Sequence, residues 1–252
     1  MKVGFIGTGN MGGALAHAAA QSPAPAELLL SNRTPEKAQA LAQQLGATVS
    51  DNETIARTCD YIFLGVKPQM MADLLARLQP ILSRRQEGFV LVSMAAGLTL
   101  QRLREMAGLS CPILRIMPNT ACAVGAGLTL YVPSPEVTEE QLSDFLTLMS
   151  ASGRLEPLEE HLIDAGSAVA GCGGAFVSLF RAKAQEYAAQ MVLGTAQLAL
   201  QSDQHTAAMK DAVCSPGGTT IAGVRALERG GFRSAAMEAV IAAYEKTLAL
   251  KS

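Results

Sequence analysis

The chain has 252 residues, room for two domains of ordinary size and a sizeable core. Hydrophobic residues make up 49% and aromatics 4%, with no Trp, so the core must be aliphatic and alanine-rich, with Met as filler. A net charge of −2 argues against nucleic acid or an anionic membrane as partner, and no apolar run is long enough for a membrane span.

The first predicted element is also the most telling. Val3-Gly4-Phe5-Ile6 is a short apolar run that ends in Gly7-Thr8-Gly9-Asn10-Met11-Gly12, and an alanine-rich helical pattern follows to Ala20. The order is strand, tight turn, helix. Gly7 lets the chain turn sharply, Gly9 lets backbone approach a pyrophosphate, and Gly12 lets the helix pack close to the strand. The helix start then aims free N–H groups and a positive dipole end at the phosphates. A G-x-G-x-x-G run alone is a weak signal; its place between strand and helix is what gives it weight. No basic leader or small-residue cleavage site precedes it, so no signal peptide is expected.

Glu27 to Ser31 reads as the second strand. An NAD site usually places an acid ~20 residues past the glycine turn, on the ribose 2′-hydroxyl. Here the chain reads Asn32-Arg33-Thr34, with no acid before Glu36. A forked guanidinium and a hydroxyl suit a 2′-phosphate, so NADPH is favoured over NADH. Thr34-Pro35-Glu36 opens a helix that runs to Leu45 and stops at Gly46. Asn52 to Thr58 is a short helix. Tyr61 to Val66 is nearly all apolar, as a strand covered on both faces must be, and ends in Lys67-Pro68. Ligands lie at the carboxyl ends of such strands, which makes Lys67 a candidate cofactor contact. Met70 to Leu82 reads as a helix and Phe89 to Ser93 as a buried strand. The small residues of Met94-Ala95-Ala96-Gly97 would let backbone lie against a flat ring such as nicotinamide. Leu100 to Met106 is helical, Cys111 to Met117 strand-like, Gly127 to Val132 a further strand, and Glu139 to Ser150 helical.

Alternating strands and helices to about residue 155 predict a Rossmann-like, doubly wound, mainly parallel sheet. From Glu159 to Lys251 the composition is Ala, Leu, Met, Glu and Lys at helical spacing, with no convincing strand. The expected division is a dinucleotide-binding domain over 1–156 and an all-helical domain over 157–252. Cys59, Cys111, Cys122, Cys172 and Cys214 are an odd, scattered set without metal spacing, read as reduced thiols of a cytoplasmic protein. His17, His161 and His205 form no ligand motif, and no metal is expected.

A second constellation lies at Val213-Cys214-Ser215-Pro216-Gly217-Gly218-Thr219-Thr220-Ile221. Ser215 suits a helix cap and Pro216 a first helical residue, yet two glycines follow, which are costly inside a helix. Free N–H groups of Gly217, Gly218 and Thr219, with the hydroxyls of Thr219 and Thr220, would suit a small carboxylate.

These stretches together resemble the pyrroline-5-carboxylate reductase family over nearly the whole length. The resemblance rests on Phe5 to Gly12, Val66-Lys67-Pro68-Gln69, Ser93 to Gly97, Arg115-Ile116-Met117-Pro118-Asn119-Thr120, Val213 to Ile221 and Gly230-Gly231-Phe232-Arg233. It implies NAD(P)H-dependent reduction of 1-pyrroline-5-carboxylate to L-proline, a Rossmann domain, and a helical domain that forms a homodimer or higher homo-oligomer. Implied cofactor contacts are Ile6, Gly7, Thr8, Gly9, Asn10, Met11, Asn32, Arg33, Thr34, Asn52, Val66, Lys67, Pro68, Met94, Ala95 and Ala96. Substrate would be held by Ser215, Gly217, Gly218 and Thr219, with the Thr220 hydroxyl on the ring nitrogen. Asp203 matches an acidic position near that nitrogen and would favour its cationic form.

The chain departs from the family pattern in one region. Where members usually read Ser-Gly-Ser-Gly-Pro-Ala-Tyr, this chain reads Ala170-Gly171-Cys172-Gly173-Gly174-Ala175-Phe176. Soon after Phe180 roughly three helical turns are missing, so that Ala175 to Gln201 is expected to run as one helix. Three alternatives therefore stand beside the leading one: a reductase of another small carboxylated imine, a 3-hydroxy acid dehydrogenase using Lys183, and an NADP-binding paralogue with weakened catalysis.

Overall fold

The computed structural model describes residues 1–24, 26–173 and 185–250. The chain divides into two compact units, Met1–Gly174 with Tyr244–Ser252, and Ala175–Ala243. The sequence-based division after residue 156 falls within the last strand of the first unit, Gly153–Pro157.

The first unit is built on one eight-stranded sheet. In chain order the strands are β1 Lys2–Ile6, β2 Glu27–Ser31, β3 Thr48–Val49, β4 Tyr61–Leu64, β5 Val90–Ser93, β6 Ile113–Met117, β7 Gly127–Pro133 and β8 Gly153–Pro157. Their order across the sheet is β3-β2-β1-β4-β5-β6-β7-β8. All neighbours are parallel except β6 and β7, which pair antiparallel. The helices between them are α1 Asn10–Ala20, α2 Pro35–Leu45, α3 Asn52–Thr58, α4 Met71–Leu82, α5 Leu100–Ala107 and α6 Glu139–Leu148.

Alternate residues of each central strand go to opposite faces, and both faces are covered. Phe5, Leu30, Phe63, Val92 and Ile116 pack with Leu15 of α1, Ala42 of α2 and Phe145 of α6. Ile6, Leu29, Ile62, Leu91 and Ile113 pack with Ile55 of α3, Leu75 of α4 and Leu103 of α5. This is why the strand sequences are apolar runs and not alternations. Several boundaries are chemically marked. Gly46 and Gly108 end α2 and α5 in the left-handed conformation. Asp51, Thr99 and Thr138 cap α3, α5 and α6 through their side chains.

Two strands escape sequence reading. β3 has two residues, too few for any pattern. β8, Gly-Arg-Leu-Glu-Pro, is an edge strand whose charged residues argue against burial.

Among the described residues of the second unit, the helices span Gln185–Gln201, Thr206–Ala212 and Thr219–Arg229, and Phe232–Ala249 continues into the first unit. No strand occurs there among the described residues, as the composition predicts. The expected single helix from Ala175, and Lys183, lie partly or wholly outside the described residues.

Candidate active site

β1 lies between β2 and β4, so the chain reverses its winding direction there. In an open α/β sheet a ligand crevice forms at the carboxyl ends of the strands at such a point. The glycine turn occupies that place. Gly7 has φ +96 and donates its N–H to the Ser31 carbonyl at 2.8 Å. A Cβ on Gly12 or on Gly65, just past β4, would run into the Gly7 carbonyl. These glycines let three backbone segments touch. Gly65 is the member of this set that no local motif announces.

Gly9 is different. It caps α1 with ordinary extended angles, φ −71 and ψ −165, and a Cβ built there meets nothing within 4 Å. No side chain caps the helix start, and Gly13 N–H is the amide that bonds back to the Gly9 carbonyl, at 2.7 Å. The amides of the first turn thus keep their capacity for an external acceptor. Beside them the Thr8 hydroxyl is buried and, among the described residues, without a hydrogen-bond partner. An open cradle, uncapped amides and an orphaned hydroxyl fit a pyrophosphate.

The β2 end adds internal bonds to the residues read in sequence. The Asn32 amide group makes two bonds within the protein. Its Oδ1 accepts Thr8 N–H at 3.2 Å and its Nδ2 donates to the Thr34 carbonyl at 3.1 Å. Asn32 therefore brackets the glycine turn to the loop after β2. Arg33 and Thr34 are exposed there, and Arg33 has no ion pair or hydrogen bond among the described residues. Asn52 Oδ1 accepts the Ser31 hydroxyl at 2.6 Å. Asp51 caps the same helix start, and its bonds from the Thr54 amide and hydroxyl hold its carboxyl below the usual range.

After β4, Val66 and Pro68 are half-buried and Lys67 exposed. After β5, Ala95 is buried while Met94 and Ala96 are half-buried, and Ala95 N–H reaches the buried Ser93 hydroxyl at 3.4 Å. Ile6, Asn10 and Met11 belong to the glycine turn itself. All these positions cluster at one end of the sheet because they follow parallel strands.

In the second unit, Ser215 does not cap a helix. The Gly218 N–H, expected to be free, donates to the Ser215 carbonyl at 3.0 Å, and Gly217 takes φ +71. This tight turn delays the helix, which starts at Thr219 with Gly218 as its cap and no side-chain capping bond. A left-handed residue cannot continue a helix, which is why Pro216 is not its first residue. The amides of the new first turn are those of Thr219, Thr220 and Ile221, and Ala222 bonds back to Gly218 at 3.3 Å. Ser215, Gly217, Thr219, Thr220 and Asp203 are all exposed. None of the described residues from 191 to 243 is buried, and Leu200, Val213, Met237 and Met191 stand 82%, 66%, 61% and 58% exposed. An apolar surface of that extent marks an interaction face.

A doubly wound sheet with a glycine turn at its switch point defines a dinucleotide-binding protein of the Rossmann type. Residues 2–97 match the family model described as NADP oxidoreductase coenzyme F420-dependent. Residues 160–250 match that described as pyrroline-5-carboxylate reductase dimerisation. The chain is 37% identical to the pyrroline-5-carboxylate reductase of Escherichia coli K12, covering 98% of this chain and 97% of that one. The Pisum sativum enzyme of the same name is 34% identical over 97% and 94%. The fold is similar to the Plasmodium falciparum pyrroline carboxylate reductase with NADP bound, with a TM-score of 0.86 and 31% identity over 100% and 98%. It is also similar to the 1-pyrroline-5-carboxylate reductase from Streptococcus pyogenes, at 0.87 and 31% over 99% and 98%. The chain belongs to the pyrroline-5-carboxylate reductase family.

Proposed function

We propose that the chain reduces 1-pyrroline-5-carboxylate to L-proline with NADPH as the preferred reductant and NADH as a poorer one. The observation that carries this reading is kinship at 37% identity across 98% of the chain. The NADP-bound relative and the open Gly9 cradle support the cofactor. The first domain, near residues 1–156, binds the dinucleotide, and the helical remainder serves substrate binding and dimerisation.

In this reading the amides of Asn10 and Met11 and the Thr8 hydroxyl hold the pyrophosphate, aided by the helix dipole. Arg33 and Thr34 take the 2′-phosphate, with Asn32 fixing their loop and Asn52 beside it. Val66, Lys67 and Pro68 line the approach. Met94, Ala95 and Ala96 form the wall on which the nicotinamide ring rests. Bound NADPH supplies the hydride that the imine carbon accepts. The amides of Gly217, Thr219 and Thr220 hold the substrate carboxylate at a helix start, a geometry worth more once water is excluded. Ser215 closes the turn that presents them. The Thr220 hydroxyl bonds the ring nitrogen, and the Asp203 carboxylate favours its protonated, electrophilic form. The chain's residues bind, orient and polarise; none forms a covalent bond to substrate.

A second copy of the chain covers the exposed leucines and methionines of the helical unit, giving a homodimer or higher homo-oligomer. No nucleic acid or membrane partner is part of this reading, and the enzyme works in the cytoplasm. Among the described residues no helix is long and apolar enough to cross a membrane. The test is NADPH oxidation by the purified protein with pyrroline-5-carboxylate, and thioproline oxidation in reverse. Proline formed in step with NADP supports the proposal; tight NADPH binding without turnover refutes it.

A further inference from the structure

We infer that the Ala95–Leu100 turn is clamped from two sides by the chain segments that flank residues 175–243, and that Glu160 and Leu250 are positioning residues for the hydride donor. The inference rests on the reading of Met94–Ala96 as the nicotinamide wall.

Ala95 and Leu98 anchor the turn in the core. Between them Ala96 and Gly97 carry almost no side chain, and Gly97 sits at φ +77. The middle of the turn therefore takes its support from other parts of the chain.

One side is supplied by the segment after β8. Glu160 Oε1 accepts the Leu100 N–H, the first amide of α5, at 2.6 Å. The same oxygen takes Arg115 Nη1 at 3.1 Å. Arg115 stands on β6 in register with Ser93, is 1% exposed, and reaches the equally buried Asp164 with Nη2 at 3.0 Å. Glu160 is therefore fixed by a buried cation that is itself fixed. Charge-assisted bonds of this kind hold geometry better than neutral ones.

The other side is supplied by the C-terminal segment. A Cβ built on Gly97 would lie 3.0 Å from Leu250 Cβ, 3.3 Å from its carbonyl carbon and 3.4 Å from its oxygen. Leu250 thus lies against the bare backbone of the turn. Its N–H bonds the carbonyl of Thr247 at 3.2 Å, and Thr247 is buried one helical turn before it. Seated on its middle by Leu250 and pinned at its end by Glu160, the turn is stiffened where no cofactor contact is needed. Hydride transfer depends on such stiffness, since a displacement of ~1 Å costs on the order of a hundredfold in rate.

The experiment uses the full chain with Leu250→Gly, which removes the Cβ that lies nearest Gly97, and Glu160→Ala; Leu250→Ala, which keeps that Cβ, and Glu160→Gln are the conservative partners. Two affinities are compared without substrate: NADPH, and 2′,5′-ADP, which carries the 2′-phosphate but no nicotinamide. Steady-state NADPH oxidation is measured beside them. The clamp predicts that Leu250→Gly and Glu160→Ala lose roughly tenfold in kcat and bind NADPH more weakly, while 2′,5′-ADP affinity stays within about twofold. Leu250→Ala and Glu160→Gln should restore most of the loss. Unchanged kcat and NADPH affinity in both Leu250→Gly and Glu160→Ala overturn the inference. Equal weakening of NADPH and 2′,5′-ADP overturns it too, because that is the mark of general unfolding. A parent protein that binds NADPH but turns over no pyrroline-5-carboxylate overturns the functional reading instead, and the affinity ratio still decides the clamp.

Discussion

Gly9 and Gly12 lie in one turn, yet alanine at the two positions should fail in different ways. At Gly12 the new methyl meets the Gly7 carbonyl. That carbonyl is hindered from swinging aside, because the Thr8 N–H of the same peptide is tied to Asn32 Oδ1 at 3.2 Å, and the peptide before it is held at both ends by Ser31 and Gly65 at 2.8 Å. The cost belongs at the upper end of the ~1–3 kcal/mol range for overpacking. For a chain of this length about 3 kcal/mol lowers the melting temperature by roughly 6–12 °C. At Gly9 nothing lies within 4 Å and φ is −71. Alanine there restricts the unfolded chain, a gain of about 0.4–1 kcal/mol. It is a poorer helix cap than glycine by a similar amount, so stability should barely move. The methyl instead occupies the space proposed for the pyrophosphate. Losing one charge-assisted bond costs about 1.5–3 kcal/mol, which is roughly 10- to 150-fold in Kd. Thermal melts with and without NADPH, and direct titration, separate the two variants. A Gly9→Ala protein that binds NADPH as the parent does would remove the pyrophosphate from this turn. One that melts as low as Gly12→Ala would contradict the open space around Gly9.

Arg33→Glu places an anion where the 2′-phosphate is proposed to lie, so NADPH should weaken at least about tenfold more than NADH in a titration of both; equal losses would remove Arg33 from that role. Thr220→Ala should lower kcat and leave NADPH affinity intact, and unchanged turnover would take its hydroxyl out of the chemistry. Burial pushes the Cys59 and Cys111 thiols up from 9.0 to about 11, and raises Tyr61 as well. Between pH 9 and 11 the folded chain then binds more protons than the unfolded one, so stability should fall across that window. Urea midpoints that stay level from pH 8 to 11 would contradict this.

Much of this was legible because parallel strands buried on both faces must be apolar runs, and because caps and glycines have local chemistry. Phe63 and Leu91 announce their strands; Gly46 announces the end of α2. What stayed hidden depends on contacts distant in sequence. Gly65 matters through the Gly7 carbonyl, far away along the chain. Asn32 reads as a cofactor contact in the sequence, and its bracing bonds to Thr8 and Thr34 appear only in the structure. Arg115 sits in a recognisable motif, yet its partners Glu160 and Asp164 come from beyond the next two strands. The Ser215-Pro216 pair suggested a helix start, and the left-handed Gly217 moved it to Thr219. A cap residue followed by a proline describes local preference, and a positive φ two residues later outweighs it.

The proposed reaction passes a hydride from a dinucleotide held behind Gly9 to a small cyclic imine held by the amides before Ile221. The most direct measurement supplies NADPH deuterated at the transferring ring carbon and follows the label by mass spectrometry. One deuterium is expected on the proline ring carbon that was the imine carbon, with proline and NADP formed in equal amounts. Proline without deuterium, or deuterated NADPH left unconsumed beside saturating pyrroline-5-carboxylate, would contradict it.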